Sequence, residues 1–152
     1  MHLLTRPAAL LVFLACLVWA YSPARAEGPA SSSILVVVEG LENTKGSIQC
    51  GVWKAREGFP NTGNFSRRVV SLSKAGPASC RFDALPAGTY AIAIFHDENG
   101  NGRMDKGLFG VPKEGYGVSN NRTYAMAPPK WEESKLSLKE GEKKRITITL
   151  RN

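Results

Sequence analysis

After residue 33 the chain alternates apolar and polar positions with a period of two, and no stretch keeps a helical period over three turns. Ile34-Leu35-Val36-Val37-Val38-Glu39 is apolar on both phases, the pattern of a central strand covered on two sides. Over residues 46–54, Ile48, Cys50 and Val52 alternate with Ser47, Gln49 and Gly51, which predicts a half-buried strand with the first set inward. Residues 69–72 read as a short strand, and Cys80 and Phe82 then alternate with Arg81 and Asp83. Over residues 89–95, Tyr90, Ile92 and Ile94 take one face and Ala91, Ala93 and Phe95 the other, where the small residues let a second layer come close. The pattern returns at Leu136 and Leu138, and again at Ile146, Ile148 and Leu150 with Thr147 and Thr149 between them. Turn chemistry separates these runs: REGFPNTGNFSR, then Lys74-Ala75-Gly76-Pro77, then Leu85-Pro86-Ala87-Gly88. Seven or so short strands without crossover helices predict an all-β antiparallel β-sandwich. Residues 96–130 form one long irregular loop, and such loops tend to be functional or tied down by something else.

The first 26 residues follow a different grammar. A charged start, the apolar run AALLVFLACLVWA and Ala24-Arg25-Ala26 make a secretory signal peptide, too short in its apolar part for a permanent membrane span. Lipidation at Cys16 fits poorly behind Phe13-Leu14-Ala15. Residues 27–33 are then a small-residue lead-in, and 34–152 a single domain, periplasmic or secreted, with no transmembrane segment. The formal charge of +7 shrinks on cleavage, because Arg6 and Arg25 leave with the signal. Cleavage also removes Cys16, leaving Cys50 and Cys80. In an oxidising compartment such a pair reads as a disulfide, and both cysteines fall on the inward phase of predicted strands; two buried thiols that never meet are the alternative.

The long loop opens with Asp97-Glu98-Asn99-Gly100-Asn101-Gly102-Arg103-Met104-Asp105. Side-chain oxygens recur at relative positions 1, 3, 5 and 9, with Gly102 at 6 and the Arg103 carbonyl at 7. That is most of the register by which an acidic loop wraps calcium, a hard cation that takes six to eight oxygens. Position 12 is Leu108, so the bidentate glutamate of such loops is missing, and Glu114 is the carboxylate near enough to substitute. The expected site is therefore Ca²⁺ on Asp97, Asn99, Asn101, Arg103, Asp105 and Glu114, binding weakly, at roughly 0.1 to 1 mM. A turn in which Asp and Asn cap their own backbone is the competing reading.

Three blocks also resemble a family: Leu85-Pro86-Ala87-Gly88-Thr89-Tyr90-Ala91-Ile92, His96-Asp97-Glu98-Asn99-Gly100-Asn101-Gly102, and Gly110-Val111-Pro112-Lys113-Glu114-Gly115-Tyr116-Gly117-Val118-Ser119-Asn120. In this order they are similar to the bacterial secreted proteins grouped as domain of unknown function 2141. The resemblance implies an exported β-sandwich of the prealbumin or carboxypeptidase-regulatory kind, with no established activity. A looser similarity is to repeat domains of bacterial surface proteins whose Asp-x-Asn-x-Asp-Gly loops hold calcium; here Asn101 stands where they often carry Asp.

Function is read as non-catalytic, a binding or structural role in the cell envelope with an envelope polymer or protein partner. The alternative is a hydrolase-type enzyme using His96 with Asp97 or Glu114, although neighbours along a strand point to opposite faces. After cleavage one histidine, His96, and two paired cysteines are too few ligands for zinc or copper. Nucleic acid is disfavoured, since no aromatic motif interleaves the cations. Lys143, Lys144 and Arg145 suit a blunted sheet edge. The loop aromatics Trp53, Phe59, Phe65, Tyr116, Tyr124 and Trp131 suit either a recognition surface or packing on their own domain.

Overall fold

Eight strands in two sheets enclose the core in a computed structural model that describes residues 31–72, 77–124 and 127–152. The signal peptide expected over residues 1–26 lies outside the described residues, as does most of the turn at 74–77. In chain order the strands are β1 (Ser32–Glu39), β2 (Ser47–Trp53), β3 (Ser66–Ser71), β4 (Ser79–Leu85), β5 (Gly88–Asp97), β6 (Tyr116–Val118), β7 (Leu136–Leu138) and β8 (Lys143–Thr149). One sheet has the order β4-β1-β8; the other runs β3-β2-β5-β6, with β7 also pairing with β5. Among the described residues no helix is long and apolar enough to cross a membrane.

The inward phases read from the sequence meet across the interior. Ile34, Val36 and Val38 from one sheet face Ile48, Cys50, Val52, Tyr90, Ile92 and Ile94 from the other, with Phe82 and Ile148 completing the layer. Each large side chain buried this way contributes roughly 1.5–3 kcal/mol. Tyr90 is fully buried and donates its hydroxyl to the Pro86 carbonyl at 2.6 Å, pinning the turn that precedes its own strand. Burial pushes that hydroxyl's pKa up.

Three expectations change. β1 is central in its sheet, yet Leu35 and Val37 are only half-buried, so its second apolar phase faces the outside rather than another layer. The sandwich is not wholly antiparallel: β1 pairs with β8 in parallel, from Ser33–Lys143 to Glu39–Thr149. Almost the entire domain separates these strands, so their connection needs no local helix. And β3 starts at Ser66, which places Arg67 and Arg68 in an edge strand and not in the preceding loop.

β8 is likewise an edge, which suits its basic start. The Asn121 side chain covers part of that edge, donating to the Thr147 carbonyl at 3.0 Å and accepting from the Thr149 N–H at 2.9 Å. The Ser119 hydroxyl, fully buried, accepts from Ile92 N–H at 2.9 Å and donates to the Ser134 carbonyl, which ties the long loop to β5.

Cys50 on β2 and Cys80 on β4 form a disulfide between the two sheets, with Cα atoms 6.5 Å apart and a sequence separation of 30. Closing a loop of that size restricts the unfolded chain by about 3.6 kcal/mol. Reduction, or the Cys50→Ala/Cys80→Ala variant, is expected to lower the urea midpoint by the corresponding amount. An unchanged midpoint in reductant would show that the bridge contributes nothing.

Candidate functional site

β5 ends on the residues that open the acidic loop. Its alternation continues to the last residue, so His96 follows Ile92 and Ile94 toward the core and Asp97 follows Ala93 and Phe95 to the outer face of the five-stranded sheet. The two neighbours are therefore not brought together. His96 Nε2 lies 2.7 Å from the Lys45 carbonyl. A carbonyl only accepts, so that nitrogen carries the proton and donates. Nδ1 faces Glu98 at 3.8 Å.

Asp97, 1% exposed, organises the loop from below. Its Oδ1 accepts from Asn101 N–H at 3.0 Å, and its Oδ2 from Gly102 N–H at 2.9 Å and from Gln49 Nε2 at 3.0 Å. Asn99 Oδ1 also accepts from Asn101 N–H at 3.0 Å, and Asn101 Oδ1 accepts from Arg103 N–H at 2.8 Å. Asp105 closes the ring, taking the Asn99 amide at 2.6 Å and the Asn101 amide at 3.1 Å. Gly102 turns the chain at φ +74°, a left-handed conformation that costs a residue with a Cβ roughly 1–2 kcal/mol. The spacing of Asp97, Asn99, Asn101 and Asp105 thus does gather four oxygen-bearing side chains around one turn.

Glu114 arrives from the far side of the loop, 6% exposed. Both of its oxygens accept backbone N–H groups, of Glu98 at 3.2 Å and of Asp105 at 3.0 Å. It clamps the two ends of the nine-residue run. The residues that fit a hard cation by chemistry are therefore Asp97, Asn99, Asn101, Asp105 and the Arg103 carbonyl, all oxygen donors with two formal charges. Among the described residues no group of three His, Cys, Asp or Glu side chains is placed to hold a metal. The acidic loop relies instead on asparagine and backbone oxygens beside its two carboxylates.

Two further residues belong to the site and have no distinctive signature in the sequence. Gln49 lies on the phase read as solvent-facing but is 5% exposed. Its Oε1 accepts from Arg67 at 2.7 and 3.2 Å, and Arg67 Nη2 also donates to the Gly102 carbonyl at 3.0 Å. The chain Arg67 to Gln49 to Asp97 ties the loop onto the sheet. A glutamine flanked by Ser47 and Gly51 and an arginine at the end of a Gly/Asn-rich segment look ordinary until the fold pairs β2 with β3 and β5.

The acidic loop is also one wall of a cleft of about 680 Å³ on the outer face of the five-stranded sheet. Gly51, Trp53, Ala93, Phe95 and Val118 contribute to its lining, along with residues 102–104, 109–112, Tyr116, Tyr124 and 127–129. The loop aromatics divide. Trp53, Phe59 and Trp131 stack edge to face on one another at 5.3 and 6.0 Å, and Phe65 leans on Tyr90 at 6.3 Å. Tyr116 and Tyr124 line the cleft together with Trp53, and are joined by a 2.8 Å hydrogen bond from the Tyr116 hydroxyl to the Tyr124 carbonyl.

Compared with known proteins, residues 36–147 match the model of a family described as an uncharacterized protein conserved in bacteria (DUF2141). No curated protein matches, and no solved structure does.

Proposed function

The chain belongs to this family of uncharacterized bacterial proteins, and from its own chemistry we propose that it is an exported, non-catalytic binding protein of the cell envelope whose acidic loop is set by a calcium ion. One observation carries the reading: Asp105 lies within 2.6 and 3.1 Å of the Asn99 and Asn101 amides, while Asp97 and Asn99 share the Asn101 N–H. Four side chains that carry oxygen donors are gathered around one turn, and an ion would need the Asn99 and Asn101 amides, whose nitrogens now face Asp105, to turn their oxygens toward it.

When bound, calcium supplies the positive charge that the two carboxylates otherwise draw from amide donors. Asp97 and Asp105 would be its charged ligands, Asn99, Asn101 and the Arg103 carbonyl its neutral ones. Glu114 holds the ends of the run from behind. With residues 102–104 in the wall of the cleft, fixing the loop fixes the shape of that wall. A binding role is favoured over hydrolysis because His96 is tied to the Lys45 carbonyl and Asp97 to loop amides on the opposite face.

The test is a calorimetric calcium titration together with melts in calcium and in excess chelator. With a dissociation constant of about 1 mM, about 10 mM calcium stabilises the protein by about 1.4 kcal/mol, a rise in Tm of a few degrees. Asp105→Ala and Asp97→Ala are expected to abolish both the heat and the shift. No heat and no shift in the parent protein would overturn the proposal.

A further inference from the structure

We propose that the cleft on the outer face of the five-stranded sheet takes a small amphipathic organic anion, its apolar body lying on the sheet and its oxyacid head meeting Arg67, Arg103 and Lys106. The inference rests on the binding role proposed above and names the chemistry of the ligand.

The cleft's size is that of a small-molecule site, since such sites typically span about 300–1,000 Å³. Its lining is asymmetric in charge. Arg67, Arg103 and Lys106 belong to it, and among the described residues no Asp or Glu does. Five cations outside the cleft stand beside acids, in Arg56–Glu132, Arg81–Asp83, Lys130–Glu133, Lys135–Glu132 and Lys144–Glu142, while others, Lys45, Lys54 and Lys143 among them, do not. Among the described residues, none of the three cleft cations has a carboxylate within 4.0 Å. Three cations therefore line an apolar cleft whose own described lining carries no carboxylate. Arg67 reaches the loop carboxylate Asp97 only through Gln49, and an anion entering from water would meet the three cations directly.

Arg67 is also preorganised. Its Nε and Nη2 are held by Gln49 and the Gly102 carbonyl, and Nη1 has no partner among the described residues. A guanidinium fixed in this way gives up little rotamer freedom on meeting an oxyacid. The floor beside it is apolar and shallow. A Cβ at Gly51 would come within 2.5 Å of the Trp53 ring, so the indole lies directly over that glycine, and Ala93 on the adjacent strand keeps the neighbouring floor low. At the rim, Phe109 is 98% exposed and sits at φ +60°, an unusual conformation for a bulky residue. An apolar ligand body gives that ring a surface to cover.

Calorimetric titration with three probes of equal chain length, decanoate, decanol and decyltrimethylammonium, separates the possible outcomes. Decanoate is expected to bind at least tenfold tighter than the other two. The Arg103→Gln/Lys106→Gln variant should weaken decanoate about tenfold and leave decanol unchanged. Ala93→Phe, which fills the floor, should remove decanoate binding while the melting transition stays cooperative. Decanol or the cation binding as tightly as decanoate would overturn the choice of an anion. Full decanoate affinity in Ala93→Phe would overturn the choice of the cleft. If none of the probes binds while calcium still raises Tm, the ligand inference fails and the calcium reading stands; decanoate binding with no calcium response gives the reverse.

Discussion

Asp97→Ala is expected to destabilise the protein by about 4 kcal/mol in excess chelator, before any ion is considered. The carboxylate accepts three hydrogen bonds at a position that is 1% exposed. Hydrogen bonds to a charged group contribute about 1.5–3 kcal/mol each, and they are not fully additive when they share an acceptor. Removing the acceptor leaves Gly102 N–H without a partner and strips the Gln49 amide of its buried one. Asn101 N–H keeps Asn99 Oδ1, which limits the loss. Arg67 then loses the negative group it reaches through Gln49, and the loop its anchor on the sheet. Urea unfolding of parent and variant in chelator measures the effect. A change under 1 kcal/mol would mean that the loop stands without Asp97.

Gly46→Ala is expected to cost about as much, roughly 4 kcal/mol, through the backbone alone. Gly46 immediately precedes β2 and has φ +66°, so any Cβ meets the left-handed penalty of roughly 1–2 kcal/mol. That Cβ would also sit 1.9 Å from the Asp97 carbonyl oxygen and 2.8 Å from Glu98 Cα. Both are backbone atoms at the root of the acidic loop, paired to β2 through Ser47–Asp97. Neither can turn aside as a side chain would, so the register of β2 on β5 must open. Gly100→Ala is the control: its φ is +72°, but nothing lies within 4 Å of a Cβ there, and it should lose only about 1 kcal/mol. Equal losses for the two variants would refute the steric account and leave only the conformational term.

Much of the strand pattern was legible because a pleated backbone sends alternate residues to opposite faces whatever surrounds it. Ile48, Cys50 and Val52 point inward as their spacing predicts, and Tyr90, Ile92 and Ile94 do the same. β6 and the helical turn Trp131–Ser134 escaped notice, being three and four residues long and too short to show a period. The start of β3 was hidden for another reason: Ser66, Arg67 and Arg68 form an edge strand with little apolar content to mark it. The turn of the acidic loop follows from its spacing and from Gly102, since the hydrogen bonds that make it join residues two to five apart. Glu114 was placed near the loop, but its role as a clamp on Glu98 and Asp105 depends on where the returning chain passes.

The amino-acid order by itself determined the all-β character, the inward phases that hold Cys50 and Cys80, and the turn that gathers Asp97, Asn99, Asn101 and Asp105. All of these rest on backbone periodicity and short-range contacts. Only the tertiary structure decided that Gln49 and Arg67 join Asp97, that β8 lies parallel beside β1, and that loops far apart in sequence wall a cation-lined cleft over Trp53 and Ala93. Those arrangements bring together residues tens of positions apart, and the packing that selects them leaves no period in the chain.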